Sequence, residues 1–252
     1  MCLAVFSYKS DPNYPLIYAS NRDEFYERPT QPATFWYDNP KLLAGRDLKA
    51  GGTWMGLTKD YRFAALTNYR DPKNILSDAP SRGDIVTDFL NSKKHAREFM
   101  VELKSGAGRF NGFNLIAGSI DELWYFNNQD FSIQKLEPGI YTLSNALLNT
   151  PWPKTEKAEN LFRTVLQKGD ANEQELFELL RDAERFPLHK LPSTGLSPEM
   201  EKIVSSIFIT SENYGTRCST IIKANPDDTT LFIEKTYDPA TSDVKNTARF
   251  RF

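Results

Sequence analysis

Strand-like and helix-like stretches of this sequence come in blocks, not in alternation, and that order restricts the fold more than any single residue does. Leu3–Tyr8 and Pro15–Ser20 are apolar, β-branched or aromatic runs separated by the turn cluster Ser10-Asp11-Pro12-Asn13, which predicts an opening hairpin. After an irregular, Pro-containing segment through Pro40, short strands are expected at Leu42–Gly45, Thr53–Thr58 and Arg62–Thr67. Ser81, with Asp84 three residues on, then resembles a capping box, and Ile85, Val86, Phe89 and Leu90 form one apolar stripe at helical spacing. A second helix is expected over Lys94–Lys104. Strands resume at Phe113–Ala117, Glu122–Phe126, Ile133–Leu136 and Ile140–Ser144. Pro153 suits the first turn of a helix to about Gln167, and Glu173–Arg185 reads as another. Phe186–Pro198 reads as loop, followed by strands at Ile207–Thr210, Ser219–Lys223 and Leu231–Thr236. The polar tail after Tyr237 is expected to fray, with Phe250 and Phe252 available to dock.

A parallel α/β protein would alternate strand and helix along the chain, and this one does not. The order predicts an α+β fold with largely antiparallel sheets. About ten or eleven strands make an unusually wide single sheet, so two stacked sheets are the more economical arrangement. The expectation is a four-layer αββα sandwich with helices on the outer faces, one domain over residues 1–252.

Composition excludes several function classes. The net charge is -2 and no basic run is interleaved with aromatics, which argues against a nucleic-acid partner. MCLAVFSYKS has no basic leader and no apolar run approaches a membrane span, so a cytoplasmic protein is expected. Cys2 and Cys218 do not make a disulfide framework. His95 and His189 are isolated from each other and from both cysteines, which leaves no zinc-type spacing and no support for a Ser-His-Asp triad.

Cys2 stands directly behind Met1. Removal of Met1 leaves Cys2 with a free α-amine, which titrates near ~7.7–8.0 and can act as a base for the thiol of the same residue. A cysteine at a strand start is more often an ordinary small buried hydrophobe. The hairpin brings Arg22-Asp23 to the Cys2 end, where Arg22 can favour a thiolate and Asp23 can hold an ammonium group; a solvated Arg-Asp turn is the plainer reading. Asn68 and Asn145 end apolar strands and are either turn residues or neutral oxyanion donors. Arg217 opens a late strand as a further cation, and Cys218 reads as core or pocket lining.

Asn21-Arg22-Asp23-Glu24, Met1-Cys2-Leu3, Leu43-Ala44-Gly45-Arg46-Asp47, Gly51-Gly52-Thr53-Trp54, Ala65-Leu66-Thr67-Asn68-Tyr69-Arg70 and Gly215-Thr216-Arg217 occur here in order. Gly112-Phe113-Asn114-Leu115, Leu143-Ser144-Asn145 and Pro151-Trp152-Pro153-Lys154 extend the pattern. Together they resemble the NRDE family, also called the transport-and-Golgi-organisation-2 family, over almost the whole chain. The resemblance implies an N-terminal-nucleophile hydrolase fold. Within that superfamily, bile-salt hydrolases and penicillin V acylases use an N-terminal Cys, an Arg and Asp shortly after it, two Asn and a late Arg. It therefore implies catalytic roles for Cys2, Arg22, Asp23, Asn68, Asn145 and Arg217 in an amidohydrolase acting on linear C–N bonds, with no cofactor required. The same family likeness implies an alternative, a non-catalytic carrier of haem or of acyl-lipid or acyl-CoA, with Cys2, a histidine or a tyrosine open as haem ligand. A secretory-pathway organiser, as the older family name suggests, finds no support in the residues.

Overall fold

The computed structural model describes residues 3–225, 227 and 229–252. Cys2, with Met1, lies outside the described residues. Thirteen strands form two antiparallel sheets among them: β1 (Leu3–Tyr8), β2 (Leu16–Phe25), β3 (Thr30–Phe35), β4 (Leu42–Asp47), β5 (Met55–Thr58), β6 (Arg62–Asn68), β7 (Phe113–Ser119), β8 (Glu122–Asn127), β9 (Ile133–Lys135), β10 (Gly139–Leu143), β11 (Tyr214–Ala224), β12 (Leu231–Tyr237) and β13 (Val244–Arg251). The six-stranded sheet runs β10-β1-β2-β11-β12-β13 and the seven-stranded sheet runs β3 to β9 in chain order. Helices α1 (Gly83–Asn91) and α2 (Ala96–Gly106) pack on the second sheet, whereas α3 (Pro153–Gln167) and α4 (Glu173–Leu180) pack on the first. The order of layers is the αββα expected. A fifth helix, α5 (Pro198–Ile203), stands apart from these layers.

Burial on both faces explains why the central strands read as continuous apolar runs. Along β1, Ala4, Phe6 and Tyr8 enter the core between the sheets, while Leu3 and Val5 meet α3 and α4 on the other side. In the same way Phe63 and Ala65 of β6 face the inter-sheet core, and Ala64 and Leu66 face α1 and α2. A fully buried Phe or Leu contributes about 1.5–3 kcal/mol, so these three apolar layers supply most of the driving force.

Of the elements that differ from the sequence expectation, four do so for a local reason. β3 runs through the Pro-containing segment: it is an edge strand, bulged between Gln31 and Thr34, so Pro32 breaks no central ladder. Ile207–Thr210 makes only the bridge Thr210–Gly215, because β11 takes β12 as its neighbour from Cys218 onward. The C-terminal tail is not frayed: β13 pairs along β12, and Phe250 and Phe252 dock edge-on against Phe35. α5 starts at the end of the stretch read as loop and runs into residues for which no element was expected; it begins behind Ser197, whose hydroxyl accepts from Met200 N. No helix among the described residues is long and apolar enough to cross a membrane.

Candidate active site

The tetrapeptide at residues 21–24 continues β2 and is sorted by its period-two alternation. Leu16 and Tyr18 face the inter-sheet core, and Ile17 and Ala19 face the helices. Asn21, in phase with the latter, is fully buried and donates through Nδ2 to Leu180 O and Ile207 O, both at 2.8 Å. Its Oδ1 accepts from Ser219 Oγ at 2.6 Å, and Ser219 Oγ accepts from the Tyr237 hydroxyl at 2.8 Å. Asn21 thus satisfies a carbonyl at the buried end of α4, which stops at Leu180 and not at Arg185 as the sequence suggested. Asp23 accepts from Thr216 Oγ1 at 2.6 Å on the neighbouring strand.

Arg22, in the opposite phase, is 4% exposed and stacks 4.3 Å from the Trp54 ring. It donates to Thr30 Oγ1 at 3.2 Å and lies 3.7 Å from Asp47 and 3.9 Å from Glu24. Arg28 completes a four-member charge network through a 2.6 Å bond to Asp47. Burial pushes the Asp47 carboxyl up, but the Arg28 bond and the backbone donors of Ala50 and Lys49 outweigh it and hold the pKa below its ordinary value. Trp54 has no slack: a Cβ on Gly45 would lie 2.3 Å from the indole ring. Gly45→Ala is therefore expected to displace Trp54 from Arg22 and to cost about 1–3 kcal/mol, read as a lower urea midpoint with altered tryptophan emission; unchanged emission would contradict the stacking.

Two joined chambers open where these strands end. The polar one, 240 Å³, is lined by Arg22, Glu24, Arg28, Asp47, Trp54 and the entry to α1. The larger, 340 Å³, is mainly apolar, with Phe25, Ile75, Leu196, Met200, Ile209 and Tyr214 on its walls. Asn68, Arg82 and Asn111 line both. The larger volume is within the range of small-molecule sites. Asn145 also lines the apolar chamber, and its Nδ2 donates to Asn68 O at 3.0 Å. Its Oδ1 accepts from Arg70 Nη2 at 3.2 Å.

The structure therefore gathers Arg22, Asn68 and Asn145 around one junction. It places Asp23 on the opposite face of β2. Arg217 lines neither chamber; its guanidinium donates to Phe25 O, Tyr26 O and Arg28 O at 2.8–3.1 Å and pins the turn between β2 and β3. Burial, then the neighbouring Arg22, lowers its pKa. His95 binds Glu122 at 2.7 Å beside α2, and His189 follows α4; neither lines a chamber. The wall residues Tyr69, Arg70, Arg82, Asn111 and Tyr214 were not singled out from the sequence. Arg70 was within reach, because it follows Asn68 by two residues in the Leu66–Arg70 motif, but which neighbours it would meet depends on loops distant in sequence.

Cys218 faces the inter-sheet core beside Glu234, which accepts from Ala33 N at 2.7 Å and from Thr220 Oγ1 at 3.4 Å. Burial and then Glu234 push the Cys218 thiol well up, so it remains a protonated core residue. Burial likewise raises the Glu234 carboxyl, against the Ala33 bond that lowers it. The folded protein holds that proton more tightly than the unfolded chain does. Its contribution is therefore complete below the ordinary carboxylate pKa and is lost as pH rises through the raised value. Glu234→Gln is expected to remove this decline, so the variant gains on the wild type as pH rises above the ordinary carboxylate range; urea midpoints that stay parallel as pH rises would contradict it.

The chain resembles known proteins along nearly its full length. The family profile described as Transport and Golgi organisation 2 matches residues 1–239. A Bos taurus protein named Transport and Golgi organization protein 2 homolog is 35% identical over 257 residues, covering 93% of this chain and 92% of the relative. The Drosophila melanogaster Transport and Golgi organization protein 2 is 27% identical over 264 residues, covering 94% and 92%. Among solved structures, a variant of the conjugated bile acid hydrolase from Clostridium perfringens superposes with a TM-score of 0.54 at 10% identity, covering 99% of this chain and 92% of that one. A second variant of the same hydrolase gives 0.52. That likeness concerns the fold, which is of the N-terminal-nucleophile hydrolase type. The ordered motifs, the profile match and the near-complete coverage of both chains agree, and the chain belongs to the Transport and Golgi organisation 2 family.

Proposed function

We propose that this chain is an N-terminal-cysteine amidohydrolase acting on a linear C–N bond of a small molecule whose apolar body fills the larger chamber. The observation that carries the reading is the pair of chambers that share Asn68 on their walls, with the buried Arg22 lining the polar one and Asn145 the apolar one. β1 starts at Leu3 opposite Asn21, so the polypeptide enters that strand at the end of the sheet where Arg22 and Asp23 continue β2.

Once Met1 is removed, the Cys2 α-amine takes the thiol proton and the thiolate attacks the amide carbonyl carbon. Asn68 and Asn145 donate to the oxyanion, and Arg22 supplies the positive field that favours the thiolate. The C–N bond breaks as the ammonium returns its proton to the leaving amine. Water, deprotonated by the same amine, then attacks the thioester and releases the carboxylic acid with the thiol restored. Asp23 holds the ammonium, and Arg217 acts through the turn it pins. These steps need no cofactor, and a reducing cytoplasm keeps the thiol free. The test is the intact mass of the protein from its native host. Loss of Met1 is expected; a retained Met1 overturns the mechanism, because an amide nitrogen cannot serve as the base.

The apolar lining supports a second reading, a carrier of haem or an acyl-lipid. Phe25, Ile75 and Met200 line the chamber and are 54%, 67% and 37% exposed. Tyr69, Tyr214 and Met200 line that chamber and would be the oxygen or sulfur donors to a haem iron held there, whereas neither histidine lines it. Haem titration separates the readings. Saturable Soret shift with Cys2 inert to alkylation favours the carrier; rapid alkylation near neutral pH with no shift favours the hydrolase.

A further inference from the structure

We propose that Arg70 is a positioning residue that couples a strap over the apolar chamber to the Asn145 amide. The strap is the chain between Phe186 and Ile209, which contributes Leu196, Met200, Val204 and Ile209 to the chamber wall. Apart from α5 and a single turn at Leu188–Lys190 it has no regular structure; its end from Val204 to Ile209 is buried against the body, so the polar fastenings bear chiefly on the stretch before it. Phe186 N donates to Ser205 Oγ at 3.0 Å, and the buried Lys154 Nζ donates to Val204 O at 3.1 Å. Its ion pair with the body of the protein is Glu201–Arg70 at 3.0 Å, with the two side chains 7% and 12% exposed.

Arg70 uses the two ends of its guanidinium for different partners. Nη1 goes to Glu201 Oε2 on the strap, and Nη2 goes to Asn145 Oδ1 in the site. The other Glu201 oxygen accepts from Thr194 N and Oγ1, so the carboxylate is fixed from both sides. The Arg70 plane stacks 4.9 Å from the Trp152 ring, and its backbone N–H donates to Asn145 O at 2.8 Å. Because the fork is rigid and planar, seating one end orients the other. Engagement of the Asn145 oxygen directs its Nδ2 toward Asn68 and leaves a second Nδ2 hydrogen for the chamber. A closed strap therefore holds Asn145 as a donor, and an open strap releases it. Its catalytic consequence rests on the hydrolase reading above; the mechanical coupling does not.

The test uses the full chain as wild type, Arg70→Lys, Glu201→Gln, Asn145→Ala and the Glu201→Gln/Asn145→Ala double variant. Lysine keeps the charge but reaches only one partner, and Gln keeps the shape of Glu without its charge, so both variants are conservative enough to fold. Hydrogen exchange over residues 191–205 is expected to quicken in Arg70→Lys, in Glu201→Gln and also in Asn145→Ala, which lies outside the strap. The double variant is expected to exchange no faster than the faster single one. Acylation by p-nitrophenyl octanoate, followed as the p-nitrophenolate burst, is expected to slow by about 10-fold or more in Arg70→Lys, with probe affinity nearly unchanged. Wild-type strap exchange in Asn145→Ala, or multiplying effects in the double variant, overturns the coupling. Quickened exchange with a loss of probe affinity alone reduces Arg70 to a fastener and also overturns it. No burst in the wild type sinks the hydrolase reading, and the exchange measurements then decide the coupling by themselves.

Discussion

On the hydrolase reading, Cys2→Ala is expected to abolish acyl transfer to this protein, lowering the p-nitrophenyl octanoate burst by about 10⁴-fold or more, the scale seen when a nucleophile is removed. Alanine retains a free α-amine after Met1 removal, so the base survives and only the attacking atom is lost. Cys2→Ser is the sharper comparison: a hydroxyl is a much weaker nucleophile near neutral pH than a thiolate, and Arg22 cannot lower its pKa far enough to compensate. A burst of wild-type size in Cys2→Ala would mean that another group takes the acyl chain. Cys218 is an unsuitable substitute, because burial and Glu234 keep it protonated.

Arg22→Met is expected to destabilise the fold by about 2–3 kcal/mol, somewhat less than the ~3–5 kcal/mol usual for breaking a buried ion pair. The discount has a structural cause. Arg22 lies 3.7 Å and 3.9 Å from Asp47 and Glu24, beyond direct hydrogen-bond distance, and Asp47 keeps Arg28 at 2.6 Å when Arg22 is gone. What is lost is the bond to Thr30, the stacking on Trp54 and part of the compensation for two carboxylates. Arg22→Lys keeps the charge without the planar face and should fall between the two. Urea unfolding measures both, and a Met variant within about 0.5 kcal/mol of wild type would remove Arg22 from the stabilising network.

The residues of β2 show how far a sequence can be read. The blocks of strand and helix already favour two sheets with helices outside, but the strand read as ending at Ser20 runs on to Phe25, and only that extension separates Asn21 and Asp23 from Arg22 and Glu24. The block order follows from local periodicity, which depends only on near neighbours in the chain. The identity of the partners does not. Asn21 satisfies the carbonyl end of α4 from about 160 residues away, a pairing that no spacing reveals. Arg217 was expected at the reacting centre as a cation; a bulge between Thr216 and Cys218 instead accompanies a side chain that pins the β2–β3 turn.

The sequence alone determined the layered α+β architecture and the residue types available for thiolate chemistry, because burial on two faces and chemical type are written locally. Tertiary structure decided which of those residues share a cavity. Arg22, Asn68 and Asn145 come together only when β2, β6 and the turn after β10 end at the same edge of the sandwich, and the strap of residues 186–209 that walls the chamber has almost no periodicity to read. Long-range packing and the irregular backbone that it supports set that geometry, and neither leaves a repeating signal in the chain.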